Sequence, residues 1–198
     1  MHIAHVADTD VDSTSGIVHY ENSQWFNADW NDADPTPLYD MFYEANWGVN
    51  QYLNIWVKNV GGSNVGYAWT PYDVDPDYWW EDGVVINYDV WGACATSSDY
   101  NAGKTLTHEV GHYLGLEHTF EDITKECAAP SLCHQTGDLI CDTPTQMDVI
   151  YDCRDRNSCG TSDPIHNYMG YSSDGCMTQF TEEQVWLNRL HTAIANKA

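Results

Sequence analysis

Basic residues are scarce in this chain. Lysine and arginine together number 7 against 30 aspartates and glutamates, a formal charge of −23 over 198 residues. Such a surface repels nucleic acid and anionic membranes, and it favours the approach of cationic peptides. Long apolar runs are missing too, and no stretch approaches the roughly 20 residues that a membrane span requires. Met1 leads straight into polar, alternating sequence, without the charged and apolar regions of a secretory leader. Export would therefore depend on a segment outside this chain. No C-x-x-C spacing occurs, which argues against a cysteine zinc site or a thioredoxin-like motif. Asp8, Asp10 and Asp12 alternate as at the start of a calcium loop. However, Ser13 stands where that loop needs glycine and His19 where it needs a bidentate glutamate, so this is not an EF-hand. No internal repeat is present.

What the chain does contain suits one domain with a real core: 42% of its residues are hydrophobic. Cys127, Cys133, Cys141, Cys153, Cys159 and Cys176 cluster in a loop-rich region and read as three disulfides, which implies an oxidising, extracytoplasmic setting. Six cysteines allow 15 pairings. Cys94 stands apart and reads as a buried free thiol. Short strands are expected at Tyr52–Val57, Val65–Trp69 and Val84–Ile86, with a shorter alternating stretch at His2–Val6. A helix is expected from about Lys104 to Leu114. A second follows Thr181, which can cap it, with Val185, Trp186, Leu190 and Ile194 as its apolar stripe. Between these helices lies an irregular lobe rich in Cys, Asp and Pro. The nine tryptophans read as core or cleft wall. His2, His5, His19, His134, His166 and His191 form no ligand-spaced pair and read as surface or internally satisfied residues.

Residues 108–118 read H-E-V-G-H-Y-L-G-L-E-H. On a helix, positions four apart lie about 40° apart round the axis and about 6 Å along it, so His108 and His112 can reach one ion. Glu109 sits about 100° round from His108, facing the open side of the metal, where it can take a proton from zinc-bound water. Continued helix would carry His118 about 9 Å past His112 along the axis. The helix must therefore break, and Gly115 is placed to adopt the left-handed conformation that ends it. Three histidines and one water leave the open position that a hydrolytic zinc requires.

This H-E-x-x-H-x-x-G-x-x-H pattern resembles the metzincin signature, and Asn167-Tyr168-Met169-Gly170-Tyr171 resembles its Met-turn. Within the metzincins the chain is most similar to the pappalysins (cytophagalysin-like). The likeness runs through Tyr52–Val57, Val65–Ala68, Asp82–Ile86, Leu106-Thr107, His118-Thr119-Phe120, Gly137-Asp138, Asp142-Thr143-Pro144, Cys176-Met177 and Phe180-Thr181. It implies an α+β or α/β zincin-like fold: a twisted, mixed but mainly parallel sheet with an antiparallel edge strand, an active-site helix, a disulfide-rich lower lobe and a C-terminal helix. One metallopeptidase catalytic domain would cover 1–198, with an upper subdomain of about 1–117 and a lower one of about 118–198. The family's first strand and long helix, and its prosegment, have no counterpart in this sequence.

By the same resemblance, Met169 forms an apolar floor beneath the histidines and Tyr171 donates a hydrogen bond to the tetrahedral intermediate. Gly66, Tyr67 and Ala68 lie on the edge strand that pairs with an extended substrate. Asp174 matches an acidic residue at the base of the S1′ pocket that selects Arg or Lys after the cut. Asp138 and Asp142 fall in stretches that hold calcium in some members, and Gly170 stands where the family usually has Asp. The implied function is a secreted zinc endopeptidase acting on peptides or proteins, with no nucleic-acid or membrane partner. The rival reading is a catalytically incomplete, zinc-bound peptide-binding module of a larger secreted protein.

Overall fold

A computed structural model describes residues 3–6, 17–92, 95–121, 127 and 129–195. Asp8, Asp10, Asp12 and Cys94 lie outside the described residues, as do the side chains of His5 and Ile194. The chain forms two compact units, residues 1–113 and 114–198.

The first unit is built on a five-stranded sheet. Its strands are β1 (Ile3–Val6), β2 (Ile17–Tyr20), β3 (Asn54–Lys58), β4 (Gly66–Ala68) and β5 (Gly83–Asn87), in the order β2-β1-β3-β5-β4. The sheet is mixed, but among the described residues the expected predominance of parallel pairing is not found. β3 and β5 run parallel, whereas β1/β2, β1/β3 and β4/β5 are antiparallel. A parallel pair needs a long crossover, and residues 59–82 supply one between β3 and β5; the antiparallel pairs need none.

Alternation along the strands gives the sheet two buried faces. Trp56 and Val85 join Phe26 of α1 (Ser23–Asn27) and Leu38, Met41 and Phe42 of α2 (Thr36–Glu44) in one core. Val84 and Ile86 point the other way, toward Leu106 and Val110 of α3 (Lys104–Tyr113). Neither α1 nor α2 was expected from the sequence. The Asp- and Pro-rich surroundings hide a plain signal in α2: Leu38, Met41, Phe42 and Ala45 follow helical spacing and are all buried. Pro37 is tolerated because it sits in the first turn, where its missing N–H has no helical partner.

Polar residues of β3 are buried as well, and they are satisfied. The Asn54 amide exchanges two hydrogen bonds with the Trp47 backbone, at 2.9 and 3.0 Å. Lys58 donates to the carbonyls of Ala28 and Asn59, and burial pushes its ammonium down to about 8.

The second unit has little regular structure before its helix α4 (Glu182–Ala195). Disulfides Cys127–Cys159, Cys133–Cys141 and Cys153–Cys176 tie it together, using all six of the clustered cysteines. Leu116, Ile140 and Met169 form its core, with Phe180 and Leu187 packed against them.

α4 faces a different way from the expected stripe. Trp186 is 62% exposed and Leu190 39%, while Gln184 is fully buried. A reciprocal cap sets this rotation. The Thr181 hydroxyl accepts from the Gln184 N–H, the Gln184 side chain accepts from the Thr181 N–H, and the Asn167 amide donates to the same Gln184 oxygen. The residues turned inward are therefore set by a polar lock rather than by the apolar periodicity. His166 and His191 bond through Nδ1 to the carbonyls of Cys176 and Leu114, as internally satisfied histidines should.

Candidate metal centre and active site

Within the first unit, α3 carries His108, Glu109 and His112, all buried. One helical turn separates the two histidines, and their rings stand nearly perpendicular with centroids 4.7 Å apart. Their Nε2 atoms are 3.0 Å from each other. Two donors bound tetrahedrally to one zinc at 2.0–2.1 Å lie about 3.3 Å apart, so this pair fits a shared ion with only a small adjustment.

Glu109 is held from above by the edge strand. A Cβ placed on Gly66 would meet the Val85 carbonyl oxygen at 2.9 Å and Cγ and Oε1 of Glu109 at 3.0 Å. Glycine at 66 thus lets β4 cross directly over the carboxylate. The sequence reading gave Gly66 only a substrate-facing role, because a contact so distant along the chain leaves no local signal. Burial pushes the Glu109 carboxyl up to about 8. The charge of a bound dication acts in the opposite direction. Tyr67 and Ala68 continue β4, which pairs with β5 on one side and lies at the end of the strand order.

α3 ends at Tyr113, and Gly115 follows with φ 90°, the left-handed residue expected to break the helix. In the second unit, the His118 ring stacks on Phe120 with centroids 4.7 Å apart and meets the edge of Tyr171 at 4.9 Å. Its Nδ1 lies 3.3 Å from the Glu121 carboxylate. That contact favours the tautomer that carries its proton on Nδ1 and its lone pair on Nε2, the arrangement common behind metal-bound histidines. His108 and His112 of the first unit and His118 of the second are residues that could hold a metal.

Met169 is fully buried, and its carbonyl accepts from the Thr119 N–H at 3.2 Å. The turn around it closes through Asn167, whose side chain accepts from the Met169 N–H and whose carbonyl accepts from the Gly170 N–H. The loop is therefore held without a side chain at position 170. Asp174 is buried at 4% exposure, beside the turn that leads into Cys176.

Asp138 and Asp142 differ in their surroundings. Asp142 is exposed, and its carboxylate accepts from the Glu183 N–H in the first turn of α4. Asp138 is buried beside a cavity of about 260 Å³ that also touches Thr119, Thr143 and Gln146. One of its oxygens accepts from the Ile140 N–H; the other has no partner among the described residues. Burial pushes the Asp138 carboxyl up to about 7, aided by the charge of Asp142 and opposed by its hydrogen bonds.

Comparison with known proteins places this arrangement in the metzincin class. Mature mirolysin of Tannerella forsythia, solved in complex with a cleaved peptide, matches with a TM-score of 0.62 and 34% identity, over 76% of this chain and 60% of that one. Promirolysin matches with a TM-score of 0.65 and 31% identity, over 80% of this chain and 52% of that one. An extracellular metalloprotease of Podospora anserina is 35% identical over 181 residues, 87% of this chain and 58% of the relative. Extracellular metalloprotease 1 of Coccidioides posadasii is 41% identical over 139 residues, 67% of this chain and 46% of the relative. The model of the M43 peptidase family, described as pregnancy-associated plasma protein-A, matches residues 38–195, and the chain belongs to that family. It spans about half the length of the curated relatives it matches.

Proposed function

We propose that this chain is the catalytic domain of a secreted zinc endopeptidase, with His108, His112 and His118 as the zinc ligands. The buried His108–Glu109–His112 cluster beneath Gly66 is the observation that carries this reading. Zinc bound there supplies Lewis acidity to the attacking water and the scissile carbonyl. Glu109 accepts the proton of that water as it attacks, then delivers it to the leaving amine. Tyr171 donates a hydrogen bond to the oxyanion that develops on the carbonyl. Residues Gly66–Ala68 pair with the substrate backbone through the open side of β4, holding it extended. A peptide-binding module without turnover has no use for a buried carboxylate beside a histidine pair, which disfavours that alternative. Three disulfides and relatives named as extracellular support action outside the cell. Among the described residues, no helix is long and apolar enough to cross a membrane.

Asp174 is the proposed selector of Arg or Lys after the scissile bond, since a buried carboxylate favours a cation that can pair with it. Cleavage-site profiling tests this. Wild type should favour Arg or Lys in that position, and Asp174→Ala should keep cutting but lose the preference. An unchanged profile in the variant removes Asp174 from this role.

The unpartnered oxygen of Asp138 and the adjoining cavity support a structural calcium ion there. At a hundredfold excess over Kd, calcium would stabilise the fold by about 2.7 kcal/mol, or roughly 5–10 °C in Tm. Asp138→Asn should abolish that rise. An equal rise in the variant would place calcium elsewhere.

A further inference from the structure

From residue 1 to residue 103 the chain carries a single Lys or Arg, Lys58, and that residue is 1% exposed. The exposed faces built from this stretch therefore present carboxylates and no lysine or arginine to offset them. On one of them lies a contiguous group of aromatic rings that does not belong to the site described above. The connection from β4 to β5 makes a 3-10 turn, Pro76–Glu81, which packs on α2. Tyr78 lies 6.2 Å from Tyr39 and 5.5 Å from Trp80, Trp79 lies 5.8 Å from Trp80, and Tyr43 of α2 lies 5.6 Å from Trp80.

Trp80 and Tyr39 are half-buried and anchor the group, while Tyr43 is 60%, Tyr78 44% and Trp79 46% exposed. The tryptophans were expected in the core or cleft wall, so Trp79 departs from that reading. The platform is also held in place. Pro76 opens the turn, the Asp75 carboxylate caps it through the Asp77 N–H, and the Asn46 amide donates to the Trp80 carbonyl. Asp40 and Glu44 flank Tyr43 on the exposed face of α2, and Asp77 precedes Tyr78.

Exposed aromatic rings in a contiguous patch mark a binding surface. Rings bordered by carboxylates, with no lysine or arginine to compete, suit a guanidinium or ammonium group, which gains from the ring face and the carboxylate together. We propose that Tyr43, Tyr78 and Trp79, with Asp40, Glu44 and Asp77, form an exosite that captures Arg- or Lys-rich segments of polypeptide substrates. The platform lies on the connection that leaves β4, with residues 69–75 between the strand and Pro76, so the exosite belongs to the same unit as the strand proposed to pair with substrate. The purpose of the exosite rests on the peptidase reading; its binding does not.

The binding test uses the zinc-loaded full chain carrying Glu109→Gln and a fluorescent peptide alternating D-arginine and glycine, which resists cleavage. Trp79→Ala or Tyr43→Ala should weaken binding about 2- to 5-fold each, Trp79→Phe should restore most of it, and Trp186→Ala, which removes an exposed tryptophan of α4, should leave it unchanged. A glycine-serine peptide and a neutral oligosaccharide should not bind. Binding untouched by Trp79→Ala, weakened equally by Trp186→Ala, or matched by the oligosaccharide would overturn the proposal. With the Glu109 enzyme, Trp79→Ala should raise KM for a substrate with a basic extension, at constant kcat, and leave a short neutral substrate unaffected. An unchanged KM would reject the exosite while the peptidase reading stands. Absence of all turnover would reject that reading while the binding result stands.

Discussion

Replacing Glu109 by Gln is expected to lower peptide hydrolysis by about 10²–10⁴-fold, the usual worth of a positioned general base. The zinc content should not change. The amide keeps the shape of the side chain, so the close fit beneath Gly66 survives. It cannot accept the proton of the attacking water or return one to the leaving amine. The loss should therefore fall on kcat, with KM nearly constant. Near-normal turnover in a folded, zinc-loaded Glu109→Gln enzyme would remove the carboxylate from the chemistry. Loss of zinc in the variant would show that Glu109 acts on the metal site instead.

Gly66→Ala is expected to cost activity almost as severely, although it alters no group that handles a proton. The new methyl would stand 2.9 Å from the Val85 carbonyl oxygen and 3.0 Å from the Glu109 side chain. Val85 belongs to β5, an interior strand buried on both faces, and cannot yield. The strain must displace β4 or rotate Glu109. A misplacement of about 1 Å near reacting groups costs on the order of 100-fold in rate, and overpacking of this kind costs about 1–3 kcal/mol in stability. Gly48→Ala is the control, since nothing lies within 4 Å of its would-be Cβ. Equal activity in the two variants would show that β4 does not constrain Glu109.

Short-range features of the site were legible because they are written within a turn or two of chain. Four-residue spacing places His108 and His112 together, and the need to reach His118 points to a break at Gly115. Strands β3, β4 and β5 and the C-terminal helix announce themselves by local pattern and capping residues. What the sequence did not disclose depends on partners distant in the chain. Strand direction is set by pairing between segments, so the mostly antiparallel sheet was not visible. The inward face of α4 is fixed by Gln184 with Thr181 and Asn167, a polar lock that outweighs the apolar spacing of Trp186 and Leu190. The fit of Glu109 under Gly66 and the aromatic platform around Trp80 are likewise long-range. α2 is a different case, since its apolar spacing was present but lay among turn-forming residues.

The most direct test of the central claim is mass spectrometry of a diverse peptide library incubated with the chain in three states: zinc-loaded, chelator-stripped and zinc-restored. New termini should appear in the first and third states and vanish in the second, with Arg or Lys enriched after the cut. Cleavage that persists in the stripped protein, or none from folded, zinc-bound protein, would contradict the zinc peptidase assignment.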